Sequence, residues 1–326
     1  MENRQKYFSP LELLRCEIRS FCDCAVITDD INRRYFTGMR SSAGTLAVFF
    51  EKAYLIIDFR YIEKARKTVK DCEVILQKDL YKQINELLKK HSAEKVSVEA
   101  DTLTVSRLAE ISDRLDCEID SSRALSECIG EIRACKRTEE IEKITAAQRI
   151  AEKGFEHILN YIKPGRTERE IALELDYFML RNGAEALSFD TIALSGKNTS
   201  LPHGVPSDKA VENGDFVLMD YGAVVDGRHS DMTRTVCVGQ PSEEMIKVYD
   251  TVLKAQLAGL SAVRAGISGA ELDKTARDII SNAGYGEYFG HSLGHGVGME
   301  IHEAPTASPT LSLIHISEPT RQAEIS

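Results

Sequence analysis

Between residues 216 and 235 an apolar stretch runs into a carboxylate, turns, and restarts from another carboxylate. The segment reads Phe216-Val-Leu-Met-Asp220-Tyr-Gly222, then Asp226-Gly227-Arg-His-Ser-Asp231-Met-Thr-Arg-Thr235. Few arrangements tolerate this pattern. Two antiparallel strands joined by the Gly-containing connection bring the two acids face to face across the ladder. Like charges that close repel and lift a carboxyl pKa unless a cation sits between them. Hard divalent cations take such oxygen ligands. The plainer alternative is that Asp220 and Asp231 are strand-end residues that make turns.

A second segment adds imidazoles. Gly290-His291-Ser-Leu-Gly294-His295-Gly296-Val-Gly298-Met-Glu-Ile-His302-Glu303 places three of the chain's eight histidines within twelve residues. Glycines beside a histidine let the backbone crowd against a bound group. A lone core histidine is usually structural; three in a Gly-rich strand are hard to explain as packing. His203, in the turn-like Leu201-Pro-His203-Gly204, is a further candidate, with an ordinary loop histidine as its alternative. Together these segments imply a mixed carboxylate and imidazole metal site. Two metals there would activate a bridging water and polarise a carbonyl.

The frame around these residues is ordinary. At 326 residues the length suggests two domains, and 43% hydrophobic with 28% charged residues is the composition of a soluble globular chain. The net charge of −10 argues against nucleic acid and against an anionic membrane surface as partners. No apolar run approaches the length of a membrane span, and the polar start, Met1-Glu-Asn-Arg-Gln-Lys, lacks a signal-peptide core. The eight cysteines show no CxxC pair and no disulfide spacing, which predicts reduced thiols in a cytoplasmic protein. The pair Cys22 and Cys24 has no partners that would make it a metal site.

Up to about residue 125 strands alternate with helices, an α/β pattern. Strands are predicted at 24–28, 45–50, 54–57, 73–76 and 95–98, and helices at 62–69, 80–91 and 105–115. No Gly-rich phosphate loop is present. Asp58, Arg60 and Tyr61 read as a strand-end turn with a surface ion pair. A long helix is predicted over 136–162, capped by Thr138 and stopped by Lys163-Pro164-Gly165. Capping boxes at Thr167-x-x-Glu170 and Ser268-x-x-Glu271 start two more helices, which end at Asn182-Gly183 and at Gly284. Another helix is predicted from Ser242 to about 265. With strands at 189–194, 216–220 and 233–238, this half is α+β.

At these residues the sequence resembles the pita-bread metallopeptidases, specifically the aminopeptidase P and Xaa-Pro dipeptidase branch. The resemblance rests on Asp220-Tyr-Gly with Ser230-Asp231-Met-Thr-Arg-Thr235, and on Gly294-His295-Gly296-x-Gly298 with Ile301-His302-Glu303. Tyr35-Phe-Thr-Gly38 and Asp58-Phe-Arg60-Tyr61 are weaker matches to a creatinase-type N-terminal domain. The implied organisation is an α/β creatinase-type domain over 1–130 and an α+β pita-bread catalytic domain over 131–309, incomplete at its C-terminus. The resemblance also implies two divalent ions, most fittingly manganese, with cobalt or zinc as alternatives. It makes Asp220 a bidentate ligand, Asp231 a bridging ligand and His295 the histidine ligand. His203 and His302 match histidines that steady the scissile carbonyl and the tetrahedral intermediate, and His291 lies on the substrate side. The implied reaction is hydrolysis at the N-termini of proline-containing peptides by attack of metal-bound hydroxide, in a homodimer. Proline's tertiary amide and fixed φ are why such bonds call for dedicated enzymes.

The sequence departs from the pattern after residue 309. The two glutamate ligands implied downstream of His302 are absent, and 310–326 resembles a translated sequencing-library adapter. The chain as written is therefore expected to bind metal weakly, to lack peptidase activity and to aggregate. Two other functions stay open: a non-catalytic pita-bread module that binds peptides or proteins, and a metal-free creatinase-like C–N hydrolase. Retention of Asp220, Asp231 and His295 argues against both.

Overall fold

The computed structural model describes residues 8–309; the adapter-like stretch 310–326 lies outside them. The chain divides into two compact units, Met1–Cys135 and Lys136–Ser326.

The first unit is built on a six-stranded mixed sheet. Its strands are β1 (Cys24–Ile27), β2 (Thr45–Phe49), β3 (Ala53–Ile57), β4 (Glu73–Leu76), β5 (Lys95–Val98) and β6 (Glu118–Asp120), in the spatial order β4-β3-β2-β1-β5-β6. Three of the four inner strands, β1, β2 and β3, are buried at every position. That is why they read as unbroken apolar runs rather than as alternation. Helices α1 (Pro10–Glu17), α2 (Asp30–Thr37), α3 (Ile62–Thr68), α4 (Leu80–His91), α5 (Val105–Arg114) and α6 (Ala124–Ala134) complete the unit. Residues of α4 and α5, with Val26, Phe49, Tyr54 and Ile56 of the sheet, form one apolar core. Arg60 grips Asp58 at 2.6 Å on the surface, as the turn reading expects. All eight cysteines are free, and burial pushes the thiol of Cys22 up to about 12.

The second unit opens with α7 (Thr138–Ile158) and α8 (Glu168–Arg181). The N-cap of α7 is Arg137, not Thr138, which is already helical. Ile144, Ala147, Ala151 and Ile158 are the buried stripe of α7, whereas Leu159 lies past its end and is exposed. In α8 the Thr167 hydroxyl accepts from the Glu170 N–H, and the Glu170 carboxylate accepts from the Thr167 N–H. The helix stops where Gly183 takes φ 105°. The chain then lays down β7 (Ala186–Leu187), β8 (Ile192–Ser195), β9 (Phe216–Tyr221), β10 (Ala223–Val225), β11 (Arg228–His229) and β12 (Met232–Cys237). The predicted strand at 189–194 is thus replaced by two short ones. Strands β12-β9-β8 form one antiparallel sheet and β11-β10-β7 another. Val217, Met219 and Tyr221 of β9 point into the core made with α7 and α8. Helices α9 (Glu243–Ala262) and α10 (Gly269–Asn282) precede a last antiparallel pair, β13 (Gly294–Gly296) and β14 (Glu303–Ala307).

Candidate metal centre

Alternation along β9 decides where Asp220 points. Val217, Met219 and Tyr221 are buried, while Phe216, Leu218 and Asp220 share the opposite, half-buried face. Across the ladder Asp220 stands opposite Thr233, not Asp231. The Thr233 hydroxyl donates to Asp220 Oδ1 at 2.8 Å. Asp231 lies two residues before Thr233, which makes it the diagonal neighbour on the same face. The acids therefore meet diagonally.

The corner between β9 and β10 fixes this placement. Gly222 sits so tightly that a Cβ there would run into the Ser230 carbonyl. The Ser188 hydroxyl lies against the Ala223 and Ser230 carbonyls, at 2.9 and 2.7 Å, and Ser230 Oγ accepts from the Ala223 N–H. Asp231 follows Ser230 directly. Gly222 is a glycine whose lack of a side chain the arrangement requires.

His295 comes from β13. Its Nε2 lies 3.4 Å from Asp231 Oδ2, and its Nδ1 is 3.0 Å from the Gly296 carbonyl. A register shift follows His295, where Gly296 lets the backbone of Ala304 approach. The neighbouring Asp231 carboxylate holds His295 above the ordinary imidazole value, against the effect of burial. Burial, then the charge of Asp231, lifts Asp220 to about 6. Two carboxylates that strain each other in this way are what a bound cation relieves.

Of the remaining candidates, His302 lies against the trio and His203 against His291. The His302 ring lies 4.3 Å from that of His295. Burial and the proximity of His295 hold His302 below the ordinary value, and His203 acts in the same direction. His203 and His291 meet edge to face with centroids 5.7 Å apart. Next to His302, Glu303 forms a buried ion pair with Lys136 at 2.9 Å, and Gly298 leaves room for its carboxylate. All six residues singled out from sequence are thus gathered in the second unit. Thr233, Gly222 and the Lys136–Glu303 pair were not singled out. A threonine two residues after Asp231 was the one available sign, since strand alternation puts it on the same face.

The donor chemistry fits a divalent cation: two oxygens-only ligands under mutual strain, and an imidazole against one of them. Among the described residues, however, no group of three or more His, Cys, Asp or Glu side chains is disposed as a ready-made cage. The trio is an open ligand set.

Comparisons with known proteins identify the family. Residues 142–322 match the model of Metallopeptidase family M24, and residues 18–135 match the Creatinase/Prolidase N-terminal domain. An uncharacterised peptidase of Bacillus subtilis, YqhT, is 41% identical over 90% of this chain and 82% of its own. The Xaa-Pro dipeptidase of Pyrococcus furiosus is 39% identical over 88% of this chain and 80% of its own. Among solved structures, an Xaa-Pro dipeptidase from Bacillus anthracis superposes with a TM-score of 0.89 at 39% identity, covering 94% of this chain and 86% of that one. The chain therefore belongs to metallopeptidase family M24, with a creatinase/prolidase N-terminal domain ahead of a pita-bread catalytic domain.

Proposed function

We propose that this chain descends from an Xaa-Pro peptidase whose metal centre is held by Asp220, Asp231 and His295. The observation that carries the reading is the convergence of these three on one face, from β9, the start of β12 and β13. In this reading Asp220, Asp231 and His295 would hold the divalent ions, the carboxylates through oxygen and His295 as the neutral imidazole. Manganese suits the oxygen-rich set best, with cobalt or zinc as alternatives. When bound, the ions supply Lewis acidity toward a carbonyl and lower the pKa of water.

The other residues act on the peptide. His302, whose charged form burial disfavours, can donate or accept a hydrogen bond at the scissile carbonyl. His203 stands close enough to influence it, and with His291 forms the substrate side. Substrates are peptides with proline after the N-terminal residue. The free thiols fit a reducing, cytoplasmic setting, and a homodimer is part of the same reading.

The resemblance calls for two glutamate ligands beyond His302, and the described residues place none with the trio. Although the family match runs to residue 322, we read 310–326 as not native from its adapter-like sequence, and the chain as written as inactive. The test uses an Xaa-Pro dipeptide with manganese. The chain as written should give no turnover. A chimera carrying the Bacillus subtilis relative's segment in place of residues 310–326 should hydrolyse it. Turnover by the chain as written overturns the inactivity. A folded, manganese-binding chimera without turnover overturns the peptidase reading.

A further inference from the structure

His203 and His291 stand on loops, yet their exposed rings meet edge to face. Rings on two surface loops hold such a geometry only if the loops themselves are fixed. Each loop is fastened from beneath by a fully buried carboxylate.

Glu168, the first residue of α8, is 0% exposed. Its Oε1 accepts from the Ser195 N–H at 2.7 Å, the Ser195 hydroxyl at 3.2 Å and Asn198 Nδ2 at 2.9 Å. Its Oε2 accepts from the Ser207 N–H at 3.1 Å and the Ser207 hydroxyl at 2.6 Å. Ser195 and Ser207 are the two feet of the loop that carries His203.

Asp273 of α10 is likewise 0% exposed. Its Oδ1 accepts from the Leu293 N–H at 2.9 Å. Arg277, one turn on, forks onto both of its oxygens at 2.6 and 3.0 Å. The same guanidinium donates to the Phe289 carbonyl at 2.8 Å and to the His291 carbonyl at 2.7 Å, and lies 4.4 Å from the Phe289 ring. The whole segment 289–293 is thereby tied to one turn of helix.

Apolar residues of similar volume would hold the two helices as well as these buried charges do. What apolar residues cannot do is match loop N–H and C=O groups one by one. We propose that Glu168 and the Asp273–Arg277 pair are positioning residues that set His203 and His291 as a preformed pair. Within the pair, His203 stands on the side of His302. The use of that pair on a peptide rests on the function proposed above; its geometry does not.

The test is NMR of the chain with ¹³C-labelled histidine, the two signals being assigned with His203→Gln and His291→Gln. The parent chain should show ring-current-displaced signals for both and a ring-to-ring NOE. Glu168→Gln and Asp273→Asn should each abolish the NOE and collapse the displaced shifts. Arg277→Lys, which keeps the charge and loses the fork, should do the same. His91 stacked on Phe49 and His157 stacked on Phe178 report on the rest of the fold and should not move. An NOE that survives in the variants overturns the proposal, as do His91 and His157 signals that move as far as the other two. If Asp273→Asn does not fold, Arg277→Lys decides for the His291 segment, because it leaves Asp273 paired; if Glu168→Gln does not fold, Ser207→Ala, which removes the 2.6 Å hydroxyl bond to Glu168, decides for the His203 loop. Since neither metal nor turnover enters the readout, failure of the peptidase assay leaves this result standing.

Discussion

Single side chains in this protein take their character from what they are buried against. Asp220 and Glu168 are both acids in the second unit, and they are pushed in opposite directions. Asp220 is lifted because burial and a second carboxylate disfavour its charge. For Glu168, burial also pushes upward, but hydrogen bonds from Ser207, Ser195 and Asn198 outweigh it and the carboxyl ends below its ordinary value. The sign of the consequence follows. A group that is more acidic folded than unfolded stabilises the fold fully above its unfolded pKa, about 4.3 for glutamate. That stability is lost as the pH falls through the lower folded value. Melting temperatures measured from about pH 6 to about pH 3 should therefore fall more steeply in the parent chain than in Glu168→Gln. Parallel curves would contradict this assignment.

At the scale of elements, the boundaries are set largely by caps. Thr167 and Glu170 exchange hydrogen bonds at the start of α8, and Ser268 and Glu271 do so at α10. Thr167→Ala should cost about 1 kcal/mol in chemical denaturation, and an unchanged midpoint would show that the cap is not what starts α8. Both boxes are local patterns of four residues, which is why they were legible in the sequence. So were β9 and β12, whose apolar runs end and begin at carboxylates. β6 escaped because three residues, Glu-Ile-Asp, carry no period. α1 and α2 escaped although Ser9-Pro10-x-Glu12 and Asp29 cap them, since their apolar stripes are only about two turns long. At the site the aspartates and histidines stood out through local density. Glu168, Asp273 and Arg277 did not, because an acid or an arginine in a helix ordinarily reads as a solvated face. The partners of Glu168 lie 27 to 39 residues away.

At the scale of the whole molecule, the balance between buried and exposed apolar surface is uneven. Helix α9 turns its small residues Thr251, Ala255 and Gly259 inward and leaves Ile246, Val252 and Leu257 about half exposed. Exposed apolar side chains along one helix promote association. Light scattering should show the chain self-associating, and Val252→Gln combined with Leu257→Gln should reduce it. A monodisperse parent monomer would contradict that expectation. Among the described residues no helix is long and apolar enough to cross a membrane, so the exposed stripe is not a span. The central claim, that Asp220, Asp231 and His295 together are a divalent-metal site, is tested most directly by titrating the chain with manganese and following the free ion by electron paramagnetic resonance. The account predicts weak, saturable binding that Asp231→Asn and His295→Gln each abolish. Binding that both variants leave unchanged, or no binding by the parent chain, would contradict it.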